Sequence, residues 1–185
     1  MQEFELLSLS HFLGFSICLA AIVFIPKAIQ SKPGLENFSK YLLVILLIEN
    51  QIRSTYVETW IKGGNLLENL PLHLCDFSAI VIAAFLLTGF RPLFIFAYFW
   101  GIAGAGMSIL TPDSEFAFPH YEYFATMYGH SLILLAVVFS IVNLGQRPYL
   151  KDIPKLIFYS SILLAIMYGI NHILGANYWY LNERP

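Results

Sequence analysis

The side chains best suited to covalent chemistry are two cysteines and five histidines, all set in or beside apolar stretches. Cys75 follows the run Leu-Pro-Leu-His-Leu at residues 70–74. A thiol of ordinary pKa is only a few per cent ionised at neutral pH, and apolar burial raises that pKa further. A nucleophilic Cys75 therefore needs a base beside it. If the segment is helical, Cys75 points about 200° away from His73, so either the base comes from another helix or the start of this helix unwinds. A single membrane cysteine, such as Cys75 or Cys18, is more often a small packing residue.

His130 is the candidate base, because it lies inside an apolar segment at a depth close to that of Cys75. Asn171, His172 or Asp113 could orient its ring or help to hold an oxyanion. Asp76 shares a helical face with His73, which favours a structural pair between the two.

A polar stripe runs along the second apolar segment at spacings of four, three and four residues, and consists of Glu49, Arg53, Tyr56 and Trp60. Glu49 and Arg53 are four residues apart and can pair on one helical face. Such a pair either fixes the packing of the helix or takes part in proton or substrate handling.

The composition decides what kind of element positions these residues. Of 185 residues, 58% are hydrophobic and 12% are charged, about half the charged fraction of a soluble domain. The mean hydropathy is +0.68. A net charge of −2 excludes a strongly basic nucleic-acid binder, two cysteines imply no disulfide framework, and no cofactor is expected. The sequence is typical of an integral membrane protein.

Six stretches are long and apolar enough to cross a bilayer, at roughly 6–29, 38–61, 70–88, 92–110, 121–142 and 154–175. Helices satisfy their backbone groups in lipid, so we predict an all-α polytopic bundle of about six spans, with residues 1–185 as one domain. The acidic N-terminal segment lacks a cleavable signal pattern and forms the first span.

The basic residues of the connections predict the orientation. One side carries seven, namely Lys27, Lys32, Lys40, Arg91, Arg147, Lys151 and Lys155, and the other carries Lys62 and Arg184. The side with seven is expected to face the cytoplasm, which leaves the N-terminus on the opposite side.

This orientation gathers the polar residues near the non-cytoplasmic face. They are His11, His73, His120, His130, His172, Cys75, Asp76, Asp113, Asn171 and Asn177. Ionisable groups are costly in a membrane unless they are paired or functional. We therefore predict a polar cavity that opens away from the cytoplasm.

Several motifs resemble the YwaF-like family of small bacterial membrane proteins. They are Leu-Pro-Leu-His-Leu-Cys at 70–75, the glycine-rich 101–108 leading into Thr-Pro-Asp, His130, and Asn-Tyr-Trp-Tyr-Leu at 177–181. An animal transmembrane acyltransferase acting on ether phospholipids is similar. So, more distantly, are the androgen-induced intramembrane hydrolases, which use a threonine with a histidine. The resemblance implies Cys75 as nucleophile, His130 as base, a bacterial cell-membrane location and a seventh span beyond the Asn-Tyr motif.

The function that we expect is acyl transfer or ester hydrolysis on a membrane lipid. A transporter or channel is an alternative, although the cytoplasmic half offers no evident polar route. Metal or haem binding by histidines is a weaker one, because no two histidines share a span. A non-catalytic protein whose polar core specifies packing is the fourth.

Overall fold

Six helices, joined by short connections, make up the molecule. The structure is a computed structural model that describes residues 3–183. The helices are α1 (Leu9–Ile29), α2 (Pro33–Tyr56), α3 (Leu74–Thr88), α4 (Arg91–Leu110), α5 (Tyr121–Val142) and α6 (Ile153–Leu174). Four of them, α1, α4, α5 and α6, are long and apolar enough to cross a membrane. The predicted all-α bundle of six helices is therefore confirmed, and no β-strand occurs within residues 3–183.

The start of the third helix differs from the prediction. We expected Pro71 near the first turn of a helix from residue 70, but α3 begins at Leu74. His73 instead has an extended backbone, and its N–H donates to the Asp76 carboxylate at 2.9 Å. A proline disfavours helical geometry in the residue before it, and an acidic side chain satisfies a backbone donor at a helix start. Arg184, used in predicting the orientation, lies outside the described residues.

Two helices contain a π turn, in which the backbone bonds are spaced one residue wider than in an α-helix. Val57–Ile61 extends α2, and Gly101–Ala105 interrupts α4. In α4 the glycines allow close packing, since a Cβ on Gly101 would stand 3.0 Å from a methyl of Ile133. Such turns are frequent at functional sites, and both of these lie in the half of the bundle that carries the polar residues.

The opposite half of the bundle has an apolar interior, built by α2, α3, α4 and α5. Its fully buried side chains include Leu47, Ile82, Phe85, Phe94 and Val137. Lipid provides no hydrophobic driving force between helices, so this half is held by close van der Waals packing.

Helix α6 packs far less tightly than the other five. Only Met167 and Asn171 of its residues are buried. One contact to the bundle is a hydrogen bond from the Trp100 indole N–H to the Ser160 hydroxyl, at 3.2 Å. The helix ends at Gly175, whose φ of 66° is a left-handed conformation that glycine adopts without strain.

The turn at Gly175 sends residues 176–181, here called the C-terminal strap, back over the end of the bundle. The buried Asn171 amide fixes it by donating to the Tyr178 carbonyl and accepting from the Tyr178 N–H, both at 2.8 Å. Paired bonds from a buried amide hold the strap in one geometry.

The C-terminal strap in turn holds the segment that leads into α3. The Tyr178 hydroxyl donates to the Leu67 carbonyl at 2.7 Å and accepts from the Leu70 N–H at 3.0 Å. The Trp179 indole N–H donates to the Leu72 carbonyl at 2.8 Å. Three hydrogen bonds therefore fix residues 67–72, the wall that precedes Cys75.

Candidate active site

A two-lobed cavity, here called the Cys75 cavity, opens at the end of the bundle where α3 and α5 begin. Its lobes measure about 420 and 720 Å³. Eight residues line both lobes: Gln51, Ser54, Glu58, Cys75, Asp76, Asp113, Thr126 and His130. Four elements contribute to this shared wall, so the two residues predicted as nucleophile and base line one open cavity.

Cys75 is the second residue of α3, and its sulfur faces α4. A Cβ on Gly104 would stand 3.3 Å from Sγ, so the glycine leaves the room that the thiol occupies. The Ser108 hydroxyl donates to the Gly104 carbonyl at 3.1 Å. The π turn of α4, Gly101–Ala105, includes this glycine.

His130 lies in the third turn of α5, and its Nδ1 is 2.8 Å from the Thr126 carbonyl oxygen. A carbonyl only accepts, so Nδ1 carries a proton and donates it. The neutral ring then keeps an unprotonated Nε2, the form that a general base requires. The bond also fixes the ring, as the orienting group does in nucleophile–base pairs.

Asp76 and His73 are close, but not as a carboxylate–imidazole pair. Asp76 accepts from the His73 backbone N–H, which anchors the start of α3. The His73 ring packs against the rings of Tyr178 and Tyr180, with centroids 5.0 and 5.7 Å apart. His73 lines the larger lobe only, whereas Asp76 lines both.

Asp113 and His120, from the connection between α4 and α5, have different positions. Asp113 lines both lobes of the Cys75 cavity. His120 is the residue before α5, where its Nδ1 accepts from the Glu122 N–H at 3.4 Å and its ring packs on Phe116. His120 therefore acts as a helix cap.

The predicted residues of the last helix and the segment after it lie away from the thiol. Asn171 holds the C-terminal strap and is 1% exposed. His172 is exposed and packs edge-on against Tyr168. The Asn177 side chain bonds backbone groups of Asn182 and Glu183. Asn171 acts on the cavity through the strap. His172 and Asn177 line a neighbouring surface pocket, which shares Glu68, His73 and Tyr180 with the larger lobe but does not reach Cys75 or His130.

The Glu49–Arg53 pair forms at 3.4 Å, as the spacing indicates. Arg53 also donates to the side-chain amide oxygen of Asn50 and to the Tyr121 hydroxyl. Arg53 lines the smaller lobe, whereas Glu49 lies on an apolar outer face of α2. The ion pair therefore bridges the outer face of α2 and the rim of the smaller lobe.

A second cation, Lys62, sits at the same rim. Its ammonium is 2.7 Å from a Glu122 oxygen and 3.1 Å from a Glu58 oxygen. The hydrogen bond to Glu122 raises the pKa of Lys62 above its ordinary value, so the side chain stays cationic at neutral pH. The smaller lobe is thus lined by two cations and by five carboxylates, which are Glu58, Asp76, Asp113, Glu115 and Glu122.

Several lining residues escaped the sequence analysis. Gln51, Ser54 and Glu58 stand three and four residues apart on α2 and form a polar stripe that faces the cavity. This stripe lies on a different face of the helix from the predicted stripe of Glu49, Arg53, Tyr56 and Trp60. Its helical spacing could have revealed it in the sequence. Thr126 stands four residues before His130 on the same face of α5, so its spacing did indicate its position, although its contribution to His130 is a backbone carbonyl. Within residues 3–183, no cluster of three or more His, Cys, Asp or Glu side chains could hold a metal.

The helical bundle with a buried polar cavity at one end defines a membrane-type helical protein. Comparison with known families is more specific: the TMEM164 family matches residues 3–185. The chain belongs to the TMEM164 family, a family of animal transmembrane proteins.

A bacterial relative also matches. A protein of Treponema pallidum (strain Nichols), named only as an uncharacterized protein, is 27% identical over 179 residues, which cover 95% of this chain and 74% of the relative. No solved structure matches.

Proposed function

We propose that this protein carries out acyl chemistry on a membrane lipid, with Cys75 as the nucleophile and His130 as its base. His130 Nε2 takes the thiol proton, and the Cys75 sulfur attacks the carbonyl carbon of a lipid acyl ester. The carbon–oxygen ester bond breaks, a thioester forms, and the imidazolium returns its proton to the departing lyso-lipid alcohol.

The second half of the reaction restores the thiol. A lyso-lipid hydroxyl or a water molecule attacks the thioester carbonyl while His130 takes its proton. The carbon–sulfur bond breaks, and the sulfur is reprotonated by the imidazolium. The product is a new ester in the first case and a free fatty acid in the second.

The observation that carries this proposal is the fixed ring of His130 in the same cavity wall as Cys75. The bond from Nδ1 to the Thr126 carbonyl leaves Nε2 as the acceptor. Both side chains line both lobes of the Cys75 cavity. A cysteine used only for packing would not require an oriented base beside an open space.

The two lobes differ in the way that a lipid ester requires. The smaller lobe has a charged lining, in which Arg53 and Lys62 stand among five carboxylates, and this lining suits a polar headgroup. The larger lobe includes apolar side chains of Leu70, Leu164 and Trp179, which suit an acyl chain. An ester carbonyl at the shared wall would then have the polar headgroup of the lipid in one lobe and its apolar chain in the other.

Family membership supports a membrane location, and the resemblance to YwaF-like proteins and to an ether-phospholipid acyltransferase supports the lipid substrate. We place the protein in a bacterial cell membrane with its N-terminus away from the cytoplasm. Seven basic residues on one side of the bundle support this orientation.

The proposal is tested by the pH dependence of Cys75 alkylation in nanodiscs. Wild type is compared with His130→Ala, and Cys18 serves as the internal control in both. Mass spectrometry of the modified peptides reports the two cysteines separately. We expect Cys75 to react quickly below pH 8, and this reactivity to fall at least tenfold in His130→Ala while Cys18 is unchanged.

Either of two results would overturn the assignment. Cys75 that reacts as slowly as Cys18 would not be an activated thiol. Cys75 that reacts quickly, but equally so in His130→Ala, would not use His130 as its base.

A further inference from the structure

A second cavity, here called the α4–α6 cleft, lies between the start of α4 and the first half of α6. Its volume is about 550 Å³. Its walls are mostly apolar, and include Phe90, Leu93, Phe96, Leu156, Ile162 and Leu163. The cleft exists because α6 packs loosely, with Ile162 still 42% exposed.

The α4–α6 cleft and the Cys75 cavity are separate along α4. Residues 90–96 line the cleft, and residues 104 and 108 line the cavity. The hydrogen bond from Trp100 to Ser160 joins α4 to α6 at a point on α4 between the two. At 1.5 Å per residue, the eight residues from Phe96 to Gly104 correspond to about 12 Å, so the two sites lie about two helical turns apart on α4. On α6 they are adjacent, since Leu163 lines the cleft and Leu164 lines the cavity.

One end of the α4–α6 cleft is strongly cationic. Arg91 and Lys155 line it, and Lys151 lies one turn before Lys155 with its ammonium over the Tyr149 ring. The Arg147 guanidinium instead bonds the carbonyls of Ile141 and Gln146. Asp152 is the carboxylate at this end, and it accepts two hydrogen bonds from Arg91, at 3.0 and 2.7 Å. Among residues 3–183, neither Lys151 nor Lys155 forms an ion pair.

We propose that the α4–α6 cleft binds an anionic phospholipid, with its phosphate at Lys151 and Lys155 and one acyl chain along the apolar wall. The two lysines supply positive charge that no carboxylate within residues 3–183 pairs with at salt-bridge distance, next to a surface that only hydrocarbon can cover without cost. Basic pockets between membrane helices bind anionic headgroups for this reason. The proposal is independent of the acyl chemistry at Cys75.

The test measures how lipids stabilise the purified full-length protein in detergent. Phosphatidylglycerol is the anionic probe and phosphatidylcholine is the zwitterionic one, each titrated while Tm is recorded. We expect phosphatidylglycerol to raise Tm at lower concentration. Lys151→Gln/Lys155→Gln should weaken the phosphatidylglycerol effect by about fivefold per lysine, while the phosphatidylcholine response is unchanged.

The matched control is Lys32→Gln/Lys40→Gln, which removes the same charge from the same side of the bundle but away from the α4–α6 cleft. Ile162→Trp should fill the apolar wall and weaken the phosphatidylglycerol response while both lysines remain. An equal loss in the two lysine pairs would mean non-specific attraction to basic loops. Equal responses to the two lipids, or an Ile162→Trp protein that responds as wild type does, would also overturn the proposal.

Discussion

The molecule contains two regions in which a cysteine and a histidine occur together, and they differ in one respect. In the first, here called the α1 cluster, His11 and Cys18 lie among Phe4, Phe15 and Tyr123. His11 is 3% exposed, and its Nε2–H donates to the Leu110 carbonyl at 3.1 Å. The second region is the Cys75 cavity.

In both regions one ring nitrogen of the histidine donates a hydrogen bond to a backbone carbonyl. The two regions therefore differ in the surroundings of the other ring nitrogen. His11 Nδ1 is buried against packed aromatic rings and has no hydrogen-bond partner among the described residues. His130 belongs to the wall of an open cavity. Residue type alone therefore does not distinguish a site for chemistry from a packing contact, and access to space does.

The largest difference between the two regions is expected when the thiol of each is removed in turn. Phosphatidylcholine with a radiolabelled acyl chain is the probe, and label bound to the protein as a hydroxylamine-sensitive thioester is the measurement. Cys75→Ala should lower this label by roughly 10³-fold or more, because the nucleophile is lost. Cys18→Ala should leave it unchanged, and equal losses in both variants would erase the distinction between the regions.

The next effect concerns the α1 cluster, where Gly14 allows close approach. A Cβ at Gly14 would stand 2.4 Å from the Tyr123 hydroxyl oxygen, so Gly14→Ala should destabilise the fold by about 1–3 kcal/mol. Thermal unfolding in detergent measures the change.

Tyr123→Phe is the matched second variant, since that hydroxyl is buried without a partner among the described residues. Tyr123→Phe alone should cost little, and Gly14→Ala/Tyr123→Phe should recover most of the lost stability. Alkylation of Cys75 should remain as in wild type throughout, and a change there would mean that the α1 cluster influences the cavity.

Weakening the C-terminal strap should cause a comparable loss of stability, and it should also affect the Cys75 cavity. Tyr178→Phe removes the hydroxyl that bonds Leu67 and Leu70, and should cost about 1–3 kcal/mol because these backbone groups lose their partner. Loosening this wall should also speed alkylation of Cys75 severalfold, without affecting Cys18. A stability loss with unchanged Cys75 reactivity would mean that the strap does not control access.

The smallest effect is expected at the glycine beside the thiol. Gly104→Ala places a methyl group 3.3 Å from the Cys75 sulfur, and should slow alkylation of Cys75 about two- to fivefold, with little loss of stability. Gly106→Ala is the control, because a Cβ there meets nothing within 4 Å. If both variants alkylate equally, crowding at the thiol is not what sets its rate.

The sequence predicted the helices well, because each apolar stretch had to span the same thickness and ended at glycine, proline or polar residues. Tyr121–Val142 agrees with the prediction, and most other ends lie within a few residues of theirs. The larger errors were at Pro33 and Leu74. Hydropathy does not reveal that α2 begins at Pro33, before the apolar stretch. Residues 70–73 are as apolar as a membrane helix, although hydrogen bonds hold them in a bent, non-helical conformation.

The candidate site was predicted less completely. Cys75, Asp76, Asp113 and His130 were named and do line the Cys75 cavity. His120, His172 and Asn177 share the same side of the bundle but not the same space, and depth along a helix does not reveal the direction in which a side chain points. The role of Asn171 depends on backbone groups of Tyr178, which carry no signal in the sequence.

The C-terminal strap also has a consequence for biosynthesis. Tyr178 and Trp179 bond residues 108 and 107 positions earlier in the chain, so one wall of the Cys75 cavity is finished by residues that the ribosome adds much later. At a translation rate of roughly 5–20 residues per second, the residues that complete this wall are added about 5–20 s after α3 has been synthesised. During that interval α6 must also emerge and insert. A partly translated chain therefore holds Cys75 in an incomplete pocket, and the thiol acquires its final surroundings only when translation has passed the strap.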